Sequence, residues 1–324
     1  MKTMRDLRKN IDLSALVLII SVSAVIAHKY FNEVDMPNFE SRLELHNEII
    51  SGTAPSPYRY RILVPFVAEF IIHVLSVVFP NKVSFLLVYT MYDLLSISFL
   101  LLVLFFWLRT WFTKDQALIG VLFIAGTIPI ALQDHYFQPW SLLEAGFFSA
   151  ALVAIHRQHY LLLVSLTVLA SLNRETALFI PLAFLLSIER RSINKNKWKP
   201  IILFIGLLLI WATTFLGLRY FLGSASHVAT IQELLAQNVT KGNLLRTLGN
   251  VSLFLGGFWI FAIFGFRDAP IFIQRLSLIV PLYLITVAIW GVWYEVRLLM
   301  PLYPILLPSG LCFLYPQERR EMAA

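Results

Sequence analysis

Two carboxylates and two guanidinium groups frame one polar stretch of a chain that has few charges of either sign. Glu33 and Asp35 follow the first long apolar run, and Arg59 and Arg61 stand just before the next. A carboxylate near neutral pH takes a proton from an attacking hydroxyl. A guanidinium offsets charge growing on a leaving phosphate, and its planar fork bonds two oxygens at once. Two further pairs have the same composition. Arg174 and Glu175 interrupt greasy runs in SLNRETALFIP, and Glu295 and Arg297 sit in WYEVRLLMP. Asp134 and His135, in QDHYFQPWSLLE, suit a role in orienting an acceptor or a sugar. They could also contribute to a divalent metal site, but two adjacent residues are fewer ligands than such a site needs. No metal or other cofactor is assigned.

Plainer roles stand beside these. Glu40, Glu44 and Glu48 suit a solvated loop, and YRYR suits an interfacial cluster of cations and aromatics facing lipid phosphates. Arg174 and Glu175 can pair with each other at a helix start, where Glu175 complements the dipole. Arg297 beside Trp293 and Tyr294 can serve as an interfacial anchor. Asp93, inside VYTMYDLLS, is read as a structural acid, protonated or bonded to a neighbour. Residues 238–240 (NVT) and 250–252 (NVS) match the glycosylation acceptor pattern.

The elements that must hold these groups are membrane helices. Of 324 residues, 58% are hydrophobic and 14% charged, a balance that excludes an ordinary soluble domain. Apolar runs near 11–29, 61–79, 83–108, 116–133, 141–156, 159–172, 176–188, 201–222, 251–266, 270–294 and 298–315 predict an all-α, polytopic membrane protein. About ten transmembrane helices are expected in one integral domain over residues 1–324. A first outer loop, 30–60, leads into a juxtamembrane segment, 61–79, and a second large outer loop covers 223–250. SRLELHNEII, 41–50, has helical amphipathic period, with Leu43, Ile49 and Ile50 expected to face lipid and Gly52 to end the helix. The formal charge of +7 lies in short loops, where it sets topology, so nucleic acid is not expected as a partner. The one cysteine, Cys312, excludes an internal disulfide.

Loop charges fix the expected orientation. The basic start, MKTMRDLRKN, reads as cytoplasmic and is followed by a retained helix rather than a cleaved signal. If every run crossed, the basic stretch 189–199 would fall on the wrong side. One solution lays 61–79 along the outer interface, which puts 109–115, 156–160, 189–199 and Arg319 and Arg320 inside. The other fuses 159–188 into one crossing and buries Arg174 and Glu175 near mid-bilayer, at a cost of at least ~2.5–3.5 kcal/mol per ionisable group. The first is preferred.

The layout resembles the C-type glycosyltransferases, membrane enzymes that use polyprenyl-phosphate-linked sugars. The first loop is similar to that of lipid A aminoarabinose transferases and protein O-mannosyltransferases. It carries an acid after the first helix (Asp35), an aromatic four residues on (Phe39), an amphipathic stretch, Ser51-Gly52, and a basic residue (Arg61) ahead of Pro65. It departs from them in lacking Lys-Pro-Pro and in a longer interval from acid to glycine. QDHYFQPWSLLE resembles the family's second outer acidic motif. NRETALFIP is similar to its short-helix pair, and EVRLLMPLYP to a mannosyltransferase element with Leu298 in place of Phe. The resemblance implies a GT-C-like fold and a polyprenyl-phosphate-sugar donor. It also implies a lipid, glycan or protein acceptor, and an active face toward the periplasm or exterior of a bacterial inner membrane. Asp35 is then the base with Glu33 behind it, Arg59, Arg61, Arg174 and Arg297 hold the lipid phosphate, and Asp134, His135, Glu175 and Glu295 orient substrate. The rival functions are a lipid or solute transporter, with charges along a path through both faces, and a non-catalytic envelope scaffold. All the proposed groups are expected to share one pocket near the outer leaflet.

Overall fold

A computed structural model describes residues 13–132, 139–188 and 198–316. Among the described residues there is no β-strand, only an isolated bridge between Ser56 and His227. Asp134 and His135, the basic stretch 189–197, and Arg319 and Arg320 lie outside the described residues.

Helix α1 (Leu13–Tyr30) runs into a π-helical turn, Phe31–Asp35. The wider turn resets the helix face, so Glu33 is exposed and Asp35 buried. Helix α2 (Phe39–Ser51) ends on Gly52, whose φ of 71° makes the left-handed cap expected of glycine. Its buried face is not the one expected. Phe39, Arg42, His46 and Ile49 turn inward, so Ile49 packs in protein, and two of the four inward residues are cationic or titratable.

The remaining helices follow in order: α3 (Leu63–Leu75), α4 (Asn81–Leu108), α5 (Lys114–Leu132), α6 (Trp140–His156), α7 (Tyr160–Asn173) and α8 (Phe179–Ser187). Beyond residue 197 come α9 (Trp198–Leu222), α10 (Ile231–Asn238), α11 (Lys241–Leu253), α12 (Phe258–Gly265), α13 (Ile271–Leu276), α14 (Ile279–Trp290) and α15 (Tyr303–Leu314). Among the described residues, seven stretches are long and apolar enough to cross a membrane: Leu13–Asp35, Asn81–Leu108, Lys114–Leu132, Trp198–Leu222, Lys241–Asp268, Ile271–Trp290 and Val296–Leu314. Leu63–Leu75, Trp140–His156, Tyr160–Asn173 and Glu175–Ser187 are apolar but shorter.

Packing is tightest where side chains are small, as expected of helices that associate without a hydrophobic gradient between them. A Cβ on Gly310 would fall on the Phe258 ring, and one on Gly265 on the backbone of α15. Helices α12 and α15 therefore lie nearly backbone to backbone, and they run in the same direction, with Phe254 stacked on Tyr303 at one end and Phe261 on Phe313 toward the other.

The bundle has two distinct ends. At one, Trp107 packs against Trp111, His156 and Phe272, closing the finish of α4, the finish of α6 and the start of α13. At the other, Tyr92 donates to the Pro139 carbonyl and Asn173 to that of Trp140. Both termini of α3 lie at this second end, because Arg61 before it and the first half of α4 after it meet the same groups there. Helix α3 therefore does not cross the bundle. Tyr160 at the start of α7 meets Phe184 near the finish of α8, so the chain reverses at Asn173–Glu175. A single helix fused over 159–188 is ruled out by that contact.

Candidate functional site

The second end of the bundle holds two ionic constellations. The first is built by α2 and α4 around Asp35. The Asp35 carboxylate is ion-paired with Arg42, and Arg42 lies 3.6 Å from Asp93, with all three side chains buried. The guanidinium also lies over the Tyr89 ring, 4.3 Å from its centroid. Taking these charges out of water costs several kcal/mol per ion, recovered only by close pairing. Asp35 Oδ1 is occupied by Arg42, whereas Asp35 Oδ2 and both Asp93 oxygens have no hydrogen-bond partner among the described residues. Asp93 thus faces Arg42 as an ion-pair neighbour at 3.6 Å without a hydrogen bond to it. One turn along α2, His46 bridges Tyr89 at 2.8 Å and Glu69 of α3 at 2.9 Å. Burial holds the His46 imidazole below its usual range, against the opposing pull of Glu69.

The second constellation is three arginine–glutamate pairs from four segments. Arg61 donates from Nε and Nη2 to Glu175 Oε2 at 3.2 and 3.0 Å. Arg174 pairs with Glu144, and Arg297 with Glu295. Arg174 and Arg297 both donate to the Ser141 hydroxyl, at 3.4 and 3.3 Å. The Arg61 guanidinium lies over the Trp140 ring at 5.4 Å, and Trp140 stacks on Tyr58 at 5.7 Å. Local folding explains the convergence. Arg174 has extended backbone (φ −162°, ψ 150°) between α7 and the Glu175–Leu178 turn, so it and Glu175 point to different neighbours. The alternative of an Arg174–Glu175 pair is not the one adopted; each finds a partner more than 29 residues away. Thr176 and Tyr283 donate to the other Glu144 oxygen, and Trp211 Nε1 donates to the Glu175 carbonyl at 2.9 Å.

The expectation of one shared pocket is therefore corrected. Arg61, Arg174 and Arg297 converge, but Asp35 pairs with Arg42 instead. The two groups adjoin: Tyr30 lies within electrostatic range of Asp35, Arg42, Asp93 and Arg297 alike, and Tyr92 ties α4 to Pro139 beside Trp140. Arg59 is not in either group. It donates to the Ser224 carbonyl at 3.1 Å, and with Tyr60 on Gly223 and a backbone ladder between Ser56 and 226–228 it joins the two long polar loops. Glu33 faces Lys29 at 3.9 Å and, with it, lines a cavity of about 350 Å³ between α1 and α5. The interior beside Glu144 is closed down to about 10 Å³, room for one water.

Sequence reasoning missed Arg42, Ser141 and Glu144 as site residues. For Arg42 and His46 a signal was present: at i and i+4 they share one face of a helix that also holds Phe39 and Ile49. Glu144, in an otherwise apolar run, carried the same intramembrane-ion signal as Arg174. Nothing marked Ser141. Among the described residues no group of three or more His, Cys, Asp or Glu side chains is placed to hold a metal ion. No protein-family model, curated protein or solved structure matches the chain.

Proposed function

We propose that the protein is a membrane glycosyltransferase that moves a sugar from a polyprenyl-phosphate donor to a lipid, glycan or protein acceptor. The single observation that carries this reading is the convergence of Arg61, Arg174 and Arg297 on Ser141 and Trp140 at one end of the bundle, next to a buried carboxylate with an unpartnered oxygen. Ionic groups drawn from distant segments to one end of a membrane protein are costly, and a functional role accounts for that cost. The resemblance of the first loop and of EVRLLMPLYP supports the same reading.

In the reaction, the acceptor hydroxyl oxygen bonds to the anomeric carbon as the bond from that carbon to the phosphate oxygen breaks. The phosphate leaves with the electron pair, already stabilised as an anion, so no general acid is needed. Asp35 Oδ2 takes the hydroxyl proton, and Glu33 is the alternative base because it faces open space. The arginines offset charge on the leaving phosphate, and direct displacement inverts the anomeric centre. In this reading the ionic end faces the exterior of a bacterial inner membrane. Against transport stands the opposite end, where Trp107, Trp111, His156 and Phe272 pack together and supply no charged path.

Membranes carrying intact protein and the Asp35→Asn variant, matched for expression, should differ by one glycan in mass spectrometry. Identical profiles from Asp35→Asn and from Glu33→Gln would remove both bases and with them the transferase reading.

A further inference from the structure

We propose that α10 and α11 form an arm lying on the lipid surface, and that its two asparagines hold the turn bearing Glu295 and Arg297 in place. The arm begins with a capping box, in which the Thr230 hydroxyl accepts from Glu233 N and the Glu233 carboxylate accepts from Thr230 N. Helix α11 then has no buried residue at all. Leu244, Leu245 and Leu248 are 41%, 62% and 59% exposed, and their spacing puts them on one stripe of the helix. Ile231, Leu235 and Val239 form the matching stripe on α10, also exposed. Such a surface requires an apolar phase.

Continuity of the chain identifies that phase as the bilayer interface. With 13 residues, α11 rises only about 20 Å at roughly 1.5 Å per residue, too short to span. It is followed by Leu255, Gly256 and Gly257 with φ of 55°, 53° and 78°. These three left-handed residues turn the chain from α11 into the apolar α12. The non-glycine among them, Leu255, bears a strained conformation, so the bend is imposed by its surroundings. A helix that lies flat in the headgroup layer and then bends inward to α12, which packs on α15, satisfies both the length and the bend. Lys241, exposed at the start of α11, adds positive charge suited to lipid phosphates.

The other face of the arm grips protein. Asn238 Nδ2 donates to the Gly291 carbonyl at 2.9 Å, and Asn238 Oδ1 accepts from Trp293 N at 3.0 Å. Asn250 Nδ2 donates to the Tyr294 carbonyl at 2.8 Å, and Arg246 lies 4.2 Å from the Tyr294 ring centroid. All four contacts fall on 291–294, immediately before Glu295 and Arg297. The glycosylation patterns at 238–240 and 250–252 are thus reassigned: both asparagines spend their amides on this turn, and Asn238 is 1% exposed.

The inference rests on a bilayer around the helices and not on the transfer reaction, so its test is independent of glycan analysis. Cys312 is buried, which leaves an introduced cysteine as the reactive thiol. Protein labelled with a fluorophore at Leu248→Cys or at Gln237→Cys is reconstituted into vesicles of brominated-chain phospholipid. Quenching should be at least twofold greater at Leu248→Cys. Equal quenching, or a Leu248→Cys label shielded from both lipid and aqueous quenchers as a protein partner would shield it, overturns the proposal. In the same vesicles Asn250→Ala, and Asn238→Ala together with it, should speed hydrogen exchange of the 291–298 amides at least tenfold while the Leu248→Cys label stays quenched. Unchanged exchange overturns the positioning role.

Discussion

Arg42 shows how much one guanidinium can hold in place. It faces two buried carboxylates, Asp35 and Asp93, and its removal leaves both without a countercharge in a low-dielectric interior. Breaking a buried ion pair from one side costs roughly 3–5 kcal/mol, so Arg42→Ala should lower the unfolding temperature in detergent sharply. Adding Asp93→Asn to it should recover part of the loss, because one of the two stranded charges is then gone; no recovery would mean that Arg42 acts through packing on Tyr89 alone. Asp35→Asn keeps the shape of the site and should abolish transfer with a smaller effect on stability. Asp35, Arg61, Arg174 and Arg297 stood out in the sequence because ionisable groups within or beside apolar runs are conspicuous. Their partners were not legible, since Glu144 and Arg42 are met through space, and the sequence separation of Arg61 from Glu175 or Arg174 from Glu144 gives no hint of contact.

Helix α2 is where pattern and element diverge. Its amphipathic period correctly indicated a helix and Gly52 its end, but the stripe that holds Ile49 also carries Arg42 and His46 and packs in protein, so a reading that turned Ile49 toward lipid chose the wrong face. His46 also makes the junction of α2 with α3 sensitive to pH. Burial keeps the folded imidazole below its ordinary value of 6.5, despite Glu69, so the folded state binds a proton less readily than the unfolded chain. The stability from this junction is complete above about pH 6.5 and declines as pH falls below it. Unfolding temperatures between pH 7.5 and 5.5 should therefore decrease for intact protein and decrease less for His46→Gln, which keeps an amide but cannot titrate. A parallel decline in both proteins would assign the effect to other groups. The course of helix α3 was one of two arrangements that the loop charges allowed, the other being a single crossing fused over 159–188.

Across the whole molecule, the class and the order of segments followed from hydropathy, and the runs 141–156, 159–172 and 176–188 already had the short lengths of the helices found there. The polar turn between Tyr160–Asn173 and Glu175–Ser187 is held in the bundle by Glu144 and Arg61, contacts that no hydropathy window registers. The two ends predict a labelling pattern. In sealed vesicles of one orientation, a membrane-impermeant maleimide should reach Ser226→Cys and His159→Cys from opposite sides; reaction of both from the same side would overturn the arrangement of helices between them. The paired arginines have a last consequence. Three positive and three negative side chains cancel within the cluster, so an anion arriving at any of these three guanidinium groups finds it already paired. It must substitute for a glutamate, and the evicted carboxylate is set loose beside the newcomer as a fresh proton acceptor.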